Sequence, residues 1–155
     1  MSRDDQRAVV YGAEASLRTF LDYGGQVNLN GVRLQLEAEE RFKTLDEVRA
    51  YVTRVVSRSD VIEMFGHRGI PSVRERKGDK FAHYSPSRME IAVNTGGTAW
   101  ALRELVILHE LAHHFSPGAH HGPAFTVAFT ELVGMVIGPQ AGLAARIIFD
   151  KEGVK

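Results

Sequence analysis

Five of the seven histidines fall between positions 109 and 121, in the run His109-Glu110-Leu111-Ala112-His113-His114-Phe115-Ser116-Pro117-Gly118-Ala119-His120-His121-Gly122-Pro123. On a helix, residues four apart are separated by about 40° around the axis and about 6 Å along it, so His109 and His113 can aim their imidazoles at one ion. Glu110 follows the first of them on a neighbouring face, where it can reach a water at the metal without being a ligand. Neutral imidazole nitrogen donates to Zn²⁺ at ~2.0–2.1 Å, and three protein ligands leave the fourth position for water. The ion lowers the pKa of that water towards ~7, and a carboxylate takes its proton as it attacks a carbonyl or similar electrophile. His109 and His113 are therefore candidate zinc ligands, and Glu110 is the candidate general base.

The third ligand must come from elsewhere in the chain. A metzincin spacing would need Gly at 116 and His at 119, where Ser116 and Ala119 stand instead. A gluzincin would take a Glu from the following helix, and Glu131 is available without the accompanying Asn. His121 is better placed, because Gly122 lets the backbone turn closely and Pro123 suits the first turn of a helix folding back over the first. His120 is its nearest substitute. For an oxyanion-stabilising group His83, Tyr84, His114 and His120 are candidates, and nothing in their spacing selects one.

These residues need elements to hold them. Val9, Val10, Ala13, Leu17, Phe20 and Leu21 recur at helical spacing over residues 5–21, which Gly24-Gly25 closes. Val27 and Leu29, then Val32, Leu34 and Leu36, alternate on either side of Asn30-Gly31, the pattern of a strand with a turn or bulge there. Thr44 with Glu47 forms a capping box, and Leu45, Val48, Tyr51, Val52, Val55 and Val56 make the buried stripe of a helix ending near Arg58. Ser72–Arg76, Phe81–Ser85 and Met89–Asn94 read as short strands in a meander.

From Thr98 the period changes to about 3.6, predicting a long helix through His113 that stops at Ser116-Pro117-Gly118. A further helix runs from Pro123 to about Ile137, and a last one from about Gln140 to Lys151. Trp100 and Phe125 are expected in the core, as aromatics at helical spacing pack inward. The Ser72–Arg76 strand fits either an edge along which a peptide aligns or a charged edge that discourages aggregation. The expected fold class is α+β: a small mixed or antiparallel sheet packed on the helix of the His-Glu-x-x-His motif, flanked by N-terminal and C-terminal helices.

Bulk composition narrows the function classes. The 155 residues suit one domain, read as 1–155, that buries its own core. Lys plus Arg equals Asp plus Glu, 19 each, which lacks the positive bias that draws phosphate backbones or anionic lipid. Neither a nucleic-acid nor a membrane partner is expected. With no cysteine there are no disulfides and no thiolate ligands, so a metal must sit on His, Asp or Glu. The polar start, Met1 to Arg7, has no signal-peptide pattern, and Glu131, Gln140, Arg146 and Gly138-Pro139 interrupt the apolar stretch from Ala124 to Phe149. A cytoplasmic protein is the expectation.

His121-Gly122-Pro123-Ala124-Phe125 resembles the His-Gly-Pro-x-Phe element that supplies the third zinc ligand in the SprT-like (Spartan) metalloproteases, which assigns that role to His121. The likeness covers the two zinc-binding segments; the cysteine-based zinc modules and basic surface of the DNA-linked members are missing. Over nearly its whole length the chain resembles a family of metallohydrolases from actinobacteria and their phages with no established substrate. The residues that carry this are Arg7-Ala8-Val9-Val10-Tyr11-Gly12-Ala13-Glu14, Val73-Arg74-Glu75-Arg76, Ala101-Leu102-Arg103-Glu104-Leu105-Val106-Ile107-Leu108 and Gly138-Pro139-Gln140-Ala141-Gly142-Leu143. It implies a compact zincin-like fold and the metal site. The expected function is a zinc-dependent hydrolase, peptidase-like by analogy, acting on a peptide or protein substrate. The alternative is a non-catalytic interaction domain that zinc stabilises.

Overall fold

The computed structural model of the protein describes residues 4–78, 82–95 and 102–155. In chain order the elements are α1 (Arg7–Tyr23), β1 (Gln26–Leu29), β2 (Val32–Gln35), α2 (Leu45–Val56), α3 (Ser59–Phe65), β3 (Ser72–Arg76), β4 (Ala82–Ser85), β5 (Glu90–Asn94), α4 (Glu104–Phe115), α5 (Pro123–Leu132) and α6 (Pro139–Lys151). A π-helical turn, Val133–Ile137, follows α5. The fold is thus mixed α+β, with six α-helices and two small sheets among the described residues. The expected helix start at Thr98, the core position of Trp100 and the strand start at Phe81 lie outside the described residues. Two compact units form, one from the residues up to Glu39 together with Gly118–Lys155, the other from Glu40–Pro117.

In the first unit, α1 buries Val10, Ala13 and Leu17 and packs on α6. It ends at Gly24, whose φ of 74° is costly for other residues and whose N–H closes the last turn on Phe20 O. The Asn-Gly pair makes a hairpin: β1 and β2 are antiparallel with Leu29 opposite Val32, and Asn30 and Gly31 both take positive φ, 50° and 83°. Two left-handed turn residues match the twist of paired strands, which is why this dipeptide suits the position. Pro123 opens α5 at a position where its missing N–H costs nothing. Phe125, expected in the core, is fully buried; Phe125 stacks on Phe129 and Phe129 on Phe149, at 6.0 and 5.7 Å between ring centroids. Glu37 receives the free N–H groups of Gln140 and Ala141 at the start of α6, where a carboxylate also meets the positive end of the helix dipole. Among the described residues no helix is long and apolar enough to cross a membrane.

In the second unit, the capping box of α2 forms as the sequence predicts: Thr44 accepts from Glu47 N, and Glu47 reaches back to Thr44 N. The meander does not form. The strand order is β3-β5-β4, with β3 and β5 parallel and β4 and β5 antiparallel. The burial pattern gives the reason. Ile91, Ala92 and Val93 of β5 are consecutive and buried, as a central strand covered on both faces requires, whereas β3 and β4 bury one residue each, Val73 and Tyr84. The seven-residue α3 was not expected; it buries Val61 alone, too little to give a sequence period.

The helix carrying the motif begins later than its apolar spacing suggests. Arg103 is extended (φ −133°, ψ 150°) and bridges Arg41, while Phe42 N donates to Leu102 O and Glu104 N to Glu40 O. The backbone groups of this stretch are therefore spent on segment 40–42, and α4 starts at Glu104. On its other side α4 is packed by β4.

Candidate metal centre

Every residue of α4 except His113 is buried. A helix covered on all sides is normally apolar throughout, so His109, Glu110 and His114 inside it each call for a partner. His114 has two: its Nε2 lies 3.0 Å from Gly69 O and its Nδ1 lies 2.8 Å from the Tyr84 hydroxyl. A carbonyl only accepts, so Nε2 carries the proton and Tyr84 donates to Nδ1. Burial pushes the His114 imidazole below its ordinary pKa, against the opposing pull of the Gly69 bond, and it stays neutral near pH 7. This pair anchors α4 to the edge strand β4. The two groups spend their polar atoms on each other and on Gly69, which removes both as candidates for stabilising an oxyanion. His83 and His120 are exposed.

The ends of α4 are fixed as firmly as its flank. At its start, Glu104 accepts from Glu40 N and from the buried Tyr51 hydroxyl of α2. At its end, Ser116 Oγ donates to Ala112 O at 2.6 Å and Ser116 N to His113 O, so the helix closes two residues after the second motif histidine. The rings of His109 and His113 stand edge to face with centroids 5.0 Å apart, the juxtaposition that the i, i+4 spacing predicts.

His121 sits in a short turn before α5. Gly122 N donates to Ala119 O at 2.9 Å, and a Cβ on Gly122 would come within 3.0 Å of that oxygen. This close approach explains the glycine. His120 takes a left-handed conformation (φ 52°) and faces outward, while His121 is buried. The His121 ring meets Phe125 edge to face, with Tyr11 on a third side at 5.3 Å between centroids. Its Nδ1 lies 2.7 Å from Asp4 Oδ2, its backbone N donates to Asp4 Oδ1 at 3.1 Å, and its carbonyl accepts from Gln6 Nε2 at 2.8 Å. Partial burial would raise the pKa of Asp4, but the hydrogen bonds from His121 outweigh it and hold the carboxyl below its ordinary range.

One ring nitrogen from each of His109, His113 and His121 lies within 4.8 Å of the others. Two nitrogens on one tetrahedral ion stand ~3.4 Å apart when each bond is ~2.1 Å, a separation inside that limit. The donor set fits a borderline-soft divalent ion, and the trio, of which His109 and His121 are buried, can hold a metal. Because His121 Nδ1 is turned to Asp4, the nitrogen it offers is Nε2. The other ligand candidates stand outside this group: His120 is on the outer side of its turn, and Glu131 pairs with Arg146 at 3.6 Å. Glu110 lies on α4 next to the first of the three and is buried.

Sequence reasoning missed Asp4, Gln6 and Tyr11 as neighbours of His121. The start of the chain carried only the signal of a polar helix entrance, and its contacts with His121 span more than a hundred residues. Compared with protein-family models, with curated proteins and with solved structures, the chain matches none.

Proposed function

We propose that the protein is a zinc-dependent hydrolase of the zincin type, peptidase-like, in which His109, His113 and His121 hold Zn²⁺ and Glu110 is the general base. One observation carries the reading: three imidazole nitrogens within 4.8 Å of one another, with a buried carboxylate at the residue after the first ligand. The group has three members among the described residues, the number used by catalytic zinc sites, whereas structural sites take four. That count favours a hydrolase over a zinc-stabilised interaction domain. The SprT-like character of both zinc-binding segments, and the likeness to the actinobacterial and phage metallohydrolases, point the same way.

When bound, the ion supplies Lewis acidity, making water a better nucleophile near neutral pH and polarising the electrophile. The chain's own groups do the rest. The Glu110 carboxylate takes a proton from the attacking water and returns it to the leaving amine. The buried surroundings of His109 and Glu110 limit competing water around the charges that develop. The β4 strand lies at a sheet edge beside α4, so it is better placed than β3 to align an extended peptide by main-chain hydrogen bonds. Arg49 of α2 already donates two hydrogen bonds to Val73 O of β3. The cysteine-free composition suits a cytoplasmic setting.

The test joins elemental analysis of protein purified without added metal to turnover of a mixed library of quenched fluorescent peptides. Bound zinc with peptide cleavage that Glu110→Gln abolishes, while its zinc content stays the same, is the expected outcome. Cleavage that survives in Glu110→Gln removes Glu110 from the mechanism, and zinc-loaded protein with no hydrolysis of peptides or esters returns the zinc to a structural role.

A further inference from the structure

His121 lies in an irregular turn between two helices, so no helical ladder dictates where its ring points. Its three hydrogen-bonding positions nearest the backbone are nevertheless all engaged, by two residues near the start of the chain. Asp4 takes the backbone N and ring Nδ1 with separate carboxylate oxygens, and Gln6 donates to the carbonyl. The Gln6 amide is itself fixed in orientation, since its Oε1 accepts from Lys155 N while its Nε2 serves His121. Gln6 stands at the N-cap of α1 and makes no side-chain capping bond there, which leaves it available for this work.

We propose that Asp4 is the positioning residue of His121: it selects the ring tautomer and aim that present Nε2 to the metal, and so ties assembly of the metal centre to the N-terminal segment. The inference rests on the metal-centre reading above. A carboxylate can only accept, so Nδ1 must carry the proton and the Nε2 lone pair is left for the ion. Gripping N and Nδ1 with two oxygens of one carboxylate also restricts rotation of the ring about both side-chain bonds. Partners of this kind raise the basicity and fix the orientation of a ligating histidine, and their loss typically weakens metal binding 10- to 100-fold.

Two measurements on the full chain decide the matter. Competition of metal-free protein against a chromophoric chelator gives the Zn²⁺ affinity of wild type, Asp4→Asn, Asp4→Ala and Asp4→Glu. Ring ¹⁵N shifts of His121 in the metal-free proteins at neutral pH give its tautomer. The expected result is an Nδ1–H ring in wild type, a changed or mixed tautomer in Asp4→Asn and Asp4→Ala with Zn²⁺ affinity lower by about 10- to 100-fold, and partial rescue by Asp4→Glu. Should Asp4→Ala fail to fold, the near-isosteric Asp4→Asn carries the decision. Unchanged affinity in the Asp4 variants overturns the proposal, as does a loss of affinity with an unchanged tautomer, which would make Asp4 merely structural. Wild-type protein that binds no Zn²⁺ at all is a different failure, and it removes the metal-centre reading itself.

Discussion

The hydroxyl of Tyr51 on α2 donates to Oε2 of Glu104 at 2.5 Å, and both side chains are buried. Glu104 Oε1 accepts from Glu40 N, so each carboxylate oxygen has a donor at the first turn of the helix that carries His109 and His113. Tyr51→Phe keeps the ring and deletes the donor. Loss of a hydrogen bond to a buried charged group costs about 1–3 kcal/mol. Urea unfolding of the metal-free protein should show a fall of that size in stability with an unchanged slope. A change within about 0.5 kcal/mol would mean that the bond does not hold α2 to the entry of α4.

The same pair sets an alkaline limit. Burial first, and then the charge and hydrogen bond of Glu104, raise the pKa of Tyr51 well above the ordinary value of 10.0. In the unfolded chain Tyr51 begins to lose its proton near pH 10, whereas in the fold it keeps it. Its contribution is therefore complete below about pH 10 and declines as the pH rises from there towards the folded value. Wild-type stability should fall with pH in that window, and Tyr51→Phe should flatten the fall. Tyr84, also raised by burial, contributes equally to both proteins and cancels in the comparison. Parallel curves for the two proteins would contradict the assignment.

What could be read in advance was local. Thr44 with Glu47, Asn30-Gly31, Pro123 and the four-residue spacing of His109 and His113 each act within one turn of chain, and the hairpin, the caps and the paired imidazoles follow from them. The strand order was not legible, because whether β3 pairs with β4 or β5 depends on which strand is covered on both faces. Only the run Ile91-Ala92-Val93 hinted at β5. Asp4 was invisible for a related reason: its partner lies 117 residues away, and a polar residue before a helix carries no sign of a distant histidine. The late start of α4 shows tertiary pairing overriding period, since Leu102 fits the apolar stripe yet its carbonyl is engaged by Phe42.

The turn before α5 turns one histidine inward and its neighbour outward, so two adjacent alanine substitutions should differ sharply. His121→Ala removes one of the three proposed ligands and should abolish stoichiometric zinc retention through gel filtration with a mild chelator. His120→Ala should retain zinc like wild type. Its left-handed backbone, with φ of 52°, lets alanine cost a little stability without touching the metal group. Equal loss in both variants, or loss confined to His120→Ala, would mean that the third ligand has been assigned to the wrong histidine.

Gly134 and Gly142 face each other where the π-helical turn meets α6, and their contact is asymmetric. A Cβ on Gly142 would lie 2.4 Å from Gly134 Cα and 2.9 Å from Gly134 N, both backbone atoms that cannot rotate away. A Cβ on Gly134 would approach Gly142 Cα only to 3.6 Å, an ordinary contact. Alanine gains up to about 1 kcal/mol over glycine within a helix, while forcing an extra carbon into a packed site costs about 1–3 kcal/mol. For Gly142→Ala the steric cost exceeds the gain, because α6 must move off the π-helical turn. For Gly134→Ala no close contact opposes the gain. Thermal melts should therefore show Gly142→Ala lowered by several degrees (~2–4 °C per kcal/mol at this chain length) and Gly134→Ala equal to wild type or slightly above it. A Gly142→Ala protein as stable as wild type would mean that the helices are set further apart than this contact requires.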